Sequence, residues 1–194
     1  MRVALVCVGD ELLAGDTVNT NAAWLGRRLG ERGVTVGRVS VVTDRVADIA
    51  RVVNEPRAEY DAVIVTGGLG PTHDLAEGTA DIPADAEMLP NPEGVAPGCI
   101  VEDVYVLPGV PAEMKAMFEL VAGDFAGQQR YVETMTVDEP ESALVDRFTD
   151  LRERYDVRVG SYPGETVRVK IHGTDRGAVE EAARWLRERV EVAE

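Results

Sequence analysis

Lysine is almost missing from this sequence: of its 20 basic residues only Lys115 and Lys170 are lysines, against 35 acidic residues and a formal net charge of -15. Such a surface repels phosphate backbones and anionic lipids, so nucleic acid and membrane partners are not expected. Cysteine occurs twice, as Cys7 and Cys99, in neither a CxxC pair nor a Cys/His cluster. A disulfide framework and a zinc site are therefore not expected, and free thiols in a reducing cytosol are. Histidine also occurs twice, as His73 and His172, far apart in sequence. A Ser/His/Asp hydrolase finds little support, and His172 reads as a strand surface residue. No apolar run approaches a membrane span, and "MRVALVCVGD" is too short in its apolar stretch for a signal peptide, so a cytoplasmic protein is expected.

The composition otherwise suits a folded chain: 194 residues with 45% hydrophobic content can bury one full core and a smaller second one. The pattern "VALVCVG" (3–9) predicts a parallel strand covered on both faces. "TNAAWLGRRLGERG" places Ala22, Leu25 and Leu29 on one helical stripe, and "VTVGRVSVVTD" follows as a strand. "DRVADIARVV" predicts a helix with Val46, Ile49 and Val53 inward, ended before Pro56. "DAVIVTGG" is a third strand. This alternation implies right-handed crossovers and a doubly wound α/β sheet. "CIVEDVYVLPG" reads as a hairpin turning at Glu102 and Asp103, and "VPAEMKAMFELVAG" as a helix burying Met114, Met117, Phe118 and Val121. From Gln128 the order becomes strand, helix, strand, strand, helix, a small α+β unit. Residues 1–127 and 128–194 are the expected domains.

Chemistry gathers at the strand ends. In "TGGLGPT", Gly67, Gly68 and Gly70 let the backbone turn sharply and approach a ligand, with a phosphate as the natural guest. No lysine follows, so this is not a nucleotide P-loop, and the GxGxxG spacing is absent. "GDELLAGDTVNTN" supplies Asp10, Glu11 and Asp16 as oxygen ligands for a hard cation, with Asn19 and Asn21 as orienting amides. Helix capping and Asx turns by the same residues are the alternative. Asp44 stands at the second strand's end, where it lines the cleft or caps the next helix. Asp74 follows the glycine turn and is equally open between metal binding and capping.

"GDELLAGDTVNTNAAWL", "VTGGLGPTHD", "LPNPEGVAPG" and "LPGVPAEM", in this order, closely resemble the amino-terminal domain of the CinA family (competence/damage-inducible protein A), one of the molybdopterin-binding domains that include MoaB and MogA. The segment holding "VRVGSYPGETVRVKIHG" resembles the KH-type unit that follows in this family. The resemblance implies a three-layer α/β/α molybdopterin-binding-like fold with a small KH-type α+β unit after it. The expected ligand is an ADP-ribose-type pyrophosphate, cleaved with a divalent metal, or alternatively a pterin phosphate of molybdenum cofactor synthesis. A non-catalytic nucleotide-sensing domain is a third reading. Carried over by motif, Gly67, Gly68, Gly70, Pro71 and Thr72 form the phosphate turn, Asn19 and Asn21 line the cleft, and Pro108, Gly109 and Glu113 come from the late motif. Asp10, Asp44 and Asp74 are the catalytic positions, with Asp10, Glu11 and Asp74 on the metal. Related domains assemble into dimers or trimers, so a homo-oligomer is expected. The family's carboxy-terminal nicotinamide-mononucleotide deamidase domain has no counterpart, and that activity is not expected. No GxxG loop is evident in the small unit, which again argues against nucleic acid.

One departure stands out. The family pattern runs from "GGLGPTHDD" into a helical segment before "LPNP", whereas here Asp74 is followed at once by Leu75 and a glycine- and proline-rich stretch. A parallel crossover needs a dozen or more residues, usually with a helix. We therefore expect that a segment is missing between Asp74 and Leu75, an evolutionary deletion being the alternative. An ordinary peptide bond, with Cα atoms about 3.8 Å apart, would reject the first.

Overall fold

The computed structural model describes residues 1–69 and 83–193. Gly70, Pro71, Thr72, His73, Asp74 and the Asp74–Leu75 junction lie outside the described residues. The chain divides into two compact units, Met1–Gly127 and Gln128–Glu194.

The first unit is built on β1 (Arg2–Val8), whose apolar run is buried on both faces and pairs in parallel with β2 (Thr35–Val42) and β3 (Ala62–Thr66). A short helix α1 (Asp10–Ala14), ended by Gly15 in the left-handed region, follows β1 and was not legible in the sequence. α2 (Thr20–Glu31) buries Leu25 and Leu29 as its periodicity predicts. α3 (Val46–Arg57) differs from expectation at both ends. Val46 is 84% exposed while Val52 is buried, because the stripe facing the sheet begins only at Ile49. The helix also passes through Pro56, whose missing N–H falls in the last turn and whose carbonyl accepts from the Glu59 and Tyr60 amides.

The sheet is mixed rather than wholly parallel, with strand order β2-β1-β3-β6-β5-β4. β4 (Glu87–Leu89) and β5 (Gly98–Val101) add an antiparallel edge to β6 (Val104–Leu107), which is parallel to β3. β5 and β6 form the expected hairpin, turning at Glu102 with φ 52° and Asp103. α4 (Pro111–Val121) carries Pro at its first position and buries Met114, Met117, Phe118 and Val121. Helices cover both faces: α2 and α4 enclose one core with Leu5, Ile64 and Phe125, while α3 covers Val6, Val63 and Val65 on the other. Beside α3 that second face holds an apolar groove of about 320 Å³, lined by Ile49, Val53, Val65, Gly68, Val104 and Val106 among others.

The second unit runs β7 (Tyr131–Val137), α5 (Glu141–Arg154), β8 (Arg158–Tyr162), β9 (Val167–Gly173) and α6 (Arg176–Arg187). Its three strands are antiparallel in the order β7-β9-β8. Alternation along β9 puts Val167, Val169 and Ile171 into a core with Leu144, Phe148 and Leu186 of the helices. Arg168 and Lys170 emerge on the opposite face.

Candidate functional site

The carboxyl ends of β1, β2, β3 and β6 meet at one edge, where ligands of open α/β sheets bind. Gly67 and Gly68 have φ 91° and 75° there, and a Cβ on Gly67 would overlap the Val8 carbonyl oxygen. The Gly67 N–H donates to the Leu107 carbonyl at 3.1 Å, tying the ends of β3 and β6 together. Gly67 thus contributes by shape and not as a donor to a ligand. A Cβ on Gly109 would lie 3.3 Å from the Gly67 Cα, so the turn after β3 and the loop after β6 pack tightly against each other as glycines. Pro108 is buried just before it.

Beside this junction is a recess of about 100 Å³, with Val8 and Thr66 at its floor and Glu11, Asn19, Asn21, Gly109 and Pro111 around it. Asn21 donates from Nδ2 to the Gly109 carbonyl at 2.7 Å. A carbonyl only accepts, which fixes the orientation of the amide and leaves Oδ1 as the acceptor. That oxygen is buried and, among the described residues, has no hydrogen-bond partner. Leaving a buried acceptor unmet costs about 1–3 kcal/mol, so the atom calls for a donor beyond the described residues. Asn19 caps α2, accepting from the Ala22 N–H at 3.0 Å, while also lining the recess. The capping weighed for this residue is thus present, beside a position at the recess. Thr17, Val18, Thr20 and Thr66 line the recess as well and had no sequence signal beyond lying near a strand end.

Asp44 is not the cap of α3: Arg45 holds the N-cap position without a side-chain bond, and Thr43 donates to Asp48 instead. The Asp44 carboxyl lies over Gly68, whose Cβ position is 3.9 Å from Oδ1. Partial burial of that carboxyl, and then the charges of Asp10 and Glu11, hold it above the usual carboxylate range although the residue is exposed. Three acidic side chains therefore share one edge with the glycine turn. Among the described residues no three His, Cys, Asp or Glu side chains converge closely enough to cage a metal ion. The arrangement suits a hydrated hard cation, held by one or two carboxylates and completed by a ligand's phosphates. Asp16 is exposed, its N–H donating to the Glu11 carbonyl. Glu113 is not in the lining of the recess; it accepts from Asn91 Nδ2 at 2.7 Å and fills the space beneath Gly94, holding the loop before β5.

A family model described as a probable molybdopterin binding domain matches residues 4–127. The chain belongs to the molybdopterin-binding domain family, among its CinA-like members. A CinA-like protein of Frankia casuarinae is 36% identical over 93% of this chain, which spans 56% of that protein. A protein of Archaeoglobus fulgidus is 34% identical over 97% of both chains. The solved structure described as CinA of unknown function from Thermoplasma acidophilum matches at 32% identity and a TM-score of 0.59, covering 64% of this chain and 97% of that one. The second unit matches a model described as the middle domain of FAD synthase, over residues 129–193. The Archaeoglobus alignment runs over 223 positions while using 97% of a 194-residue chain, so that relative carries a few tens of residues with no counterpart here.

Proposed function

We propose that the recess and the glycine turn beside it bind an ADP-ribose-type nucleotide and that the chain hydrolyses its pyrophosphate bond. What supports this reading is the buried, unmet Asn21 Oδ1 beside Gly67 and Gly68. A sugar hydroxyl or base N–H would satisfy that oxygen, while the pyrophosphate runs along the turn toward Asp44. A divalent cation, bound through Asp10, Glu11 and Asp74, would neutralise charge on the phosphates. Asp44, its proton affinity raised, is placed to accept a proton from the attacking water. The water oxygen then bonds to phosphorus, the bridging P–O bond breaks, and the departing phosphate keeps the electron pair, giving AMP and ribose 5-phosphate. Gly68 shapes the turn on which the developing negative charge rests.

Pterin-phosphate binding is the second reading, favoured by the description of the matching family model. Nucleotide binding without turnover is the third. Incubation with ADP-ribose and magnesium, with AMP release as the readout, is expected to show turnover; binding without product assigns the third reading. Tight pterin binding that excludes ADP-ribose would replace the first by the second. Asp74→Asn is expected to lower kcat more than affinity. We also read the second unit as KH-type and the working form as a homo-oligomer, which sedimentation would test.

A further inference from the structure

The two edges of the second unit's sheet differ. Residues 191–193 run alongside β7: the Asp138 N–H donates to the Glu191 carbonyl at 2.8 Å, the Ala193 N–H to the Thr136 carbonyl at 3.0 Å, and Val137 is bridged to Val192. β8 ends the strand order on the other side, and among the described residues no main-chain bond reaches it from there. It holds neither proline nor lysine, and Arg158 at its start is its one charge. A strand edge left open in this way is a template for another strand.

Behind this edge α5 packs on β8 and leaves a groove of about 350 Å³, lined by Ser142, Val145, Phe148, Thr149 and Ser161, with Glu141 and Arg152 also in its wall. Val145 is apolar yet 55% exposed there. The two charges are placed by the strand. Glu141 accepts from the Ser161 hydroxyl, and Arg152 donates to the Val159 carbonyl at 3.5 Å, the long limit of a hydrogen bond. Helix and strand therefore run in opposite directions, and Gly160 lies opposite the middle of the helix between Glu141 and Arg152.

We propose that β8 pairs with β8 of a second copy of this chain, antiparallel about Gly160, a contact that rests on and specifies the homo-oligomer read above. A twofold axis beside Gly160 sets Val159 of one copy against Ser161 of the other and doubles the three-stranded sheet. The same axis lays the two α5 helices side by side in opposite directions. Glu141 of each copy then faces Arg152 of the other, and Val145 and Thr149 of each close the other's groove. Ser142, Val145 and Thr149 are short enough for the helix axes to approach to about 8 Å. On the sheet's open face Arg158 of one copy reaches the Tyr162 ring of the other, on the side away from Arg168, whose guanidinium lies 5.2 Å from the ring centroid. Any extended chain could pair with the main-chain groups of β8. A charge order that matches its own reverse selects a second copy.

Sedimentation equilibrium of the full chain from micromolar to submillimolar concentration tests this. Arg152→Glu is expected to weaken self-association at least tenfold by setting like charges face to face, and adding Glu141→Arg to that variant is expected to restore it. Both residues are exposed, so the fold should survive. They stand about 16 Å apart along α5, so the rescue has to act through the other copy. Gly160→Cys tests the register. A Cβ there meets nothing closer than the Tyr162 hydroxyl at 3.5 Å, and cross-strand Cβ atoms about 4.5–5.5 Å apart are near disulfide range. With oxidised glutathione this variant is expected to give a covalent dimer, and Thr134→Cys on β7 is not; Cys7 and Cys99 are buried. An oligomer indifferent to Arg152→Glu, or one that the double variant does not restore, overturns this contact and leaves the homo-oligomer standing. A chain monomeric throughout overturns both. So does a monomer whose Gly160 amide is protected from exchange only when an alternating Val-Thr peptide is added, which gives the edge a different occupant.

Discussion

Gly67 and Gly68 look interchangeable in sequence, but their surroundings separate them. Both need a positive φ, which costs a non-glycine residue about 1 kcal/mol or more. Only at Gly67 would a Cβ also overlap a backbone oxygen, that of Val8; at Gly68 the nearest atom is 3.4 Å away. Gly67→Ala is therefore expected to lose roughly 3–5 kcal/mol and Gly68→Ala only about 1–2, as read by urea denaturation. Equal losses would mean that the junction with Val8 is looser than the geometry states. Asp44 gives a prediction in pH. An aspartate whose folded pKa is raised stabilises the fold below its unfolded value, and that contribution is lost as pH rises through the folded value. At neutral pH its ionised carboxylate opposes Asp10 and Glu11. Asp44→Asn should leave stability at pH 7 unchanged or raised by about a degree in Tm, while removing the AMP release proposed above. A variant that destabilises at pH 7 would contradict the repulsion. Neither distinction was legible in the sequence, which marks a glycine or an aspartate but not the atom that will face it.

At the scale of elements, most of the first unit followed from periodicity and punctuation. The apolar run of β1, the Leu25/Leu29 stripe of α2 and Pro111 at the head of α4 each name one structure. Edge strand β4 and helix α1 escaped because three or five residues carry too little pattern. The connection from β3 to β4, which is parallel to it at the far edge of the sheet, needs a crossover. The move from β2 to β3 through α3 runs in the same direction across the sheet as the move from β3 to β4. Right-handed crossovers would put both helices on the same face. That face holds the 320 Å³ apolar groove beside α3, over Val65, Val104 and Val106. The unmatched residues of the Archaeoglobus relative are numerous enough for such a helix. Inserting them between Asp74 and Leu75 should raise Tm by several degrees and abolish binding of an apolar dye to the groove. Dye binding unchanged by the insertion would mean that the groove is not a helix seat.

For the molecule as a whole, the question is which electrostatic term salt changes most. The surface holds favourable pairs, such as Arg28 with Glu119, Arg38 with Glu55 and Arg57 with Asp103, and salt weakens them. Pairs this exposed are screened by solvent and contribute little, so their loss is limited. Against them stands a net charge of -15 over 194 residues, a repulsion that acts between all the excess carboxylates at once. The screening length falls from about 10 Å at 0.1 M to about 3 Å at 1 M salt, which leaves contact pairs partly intact but removes most repulsion between distant charges. Screening should therefore stabilise on balance, and Tm is expected to rise steadily from dilute buffer to molar sodium chloride. Chloride is the proper test salt, because sulfate would strengthen apolar burial by exclusion from the surface whatever the charge. Asp and Glu replaced by Asn and Gln at several exposed positions away from the sheet edge should raise the melting temperature in dilute buffer and flatten its rise with salt. A Tm that is flat or falls with chloride would show that the local pairs outweigh the global charge.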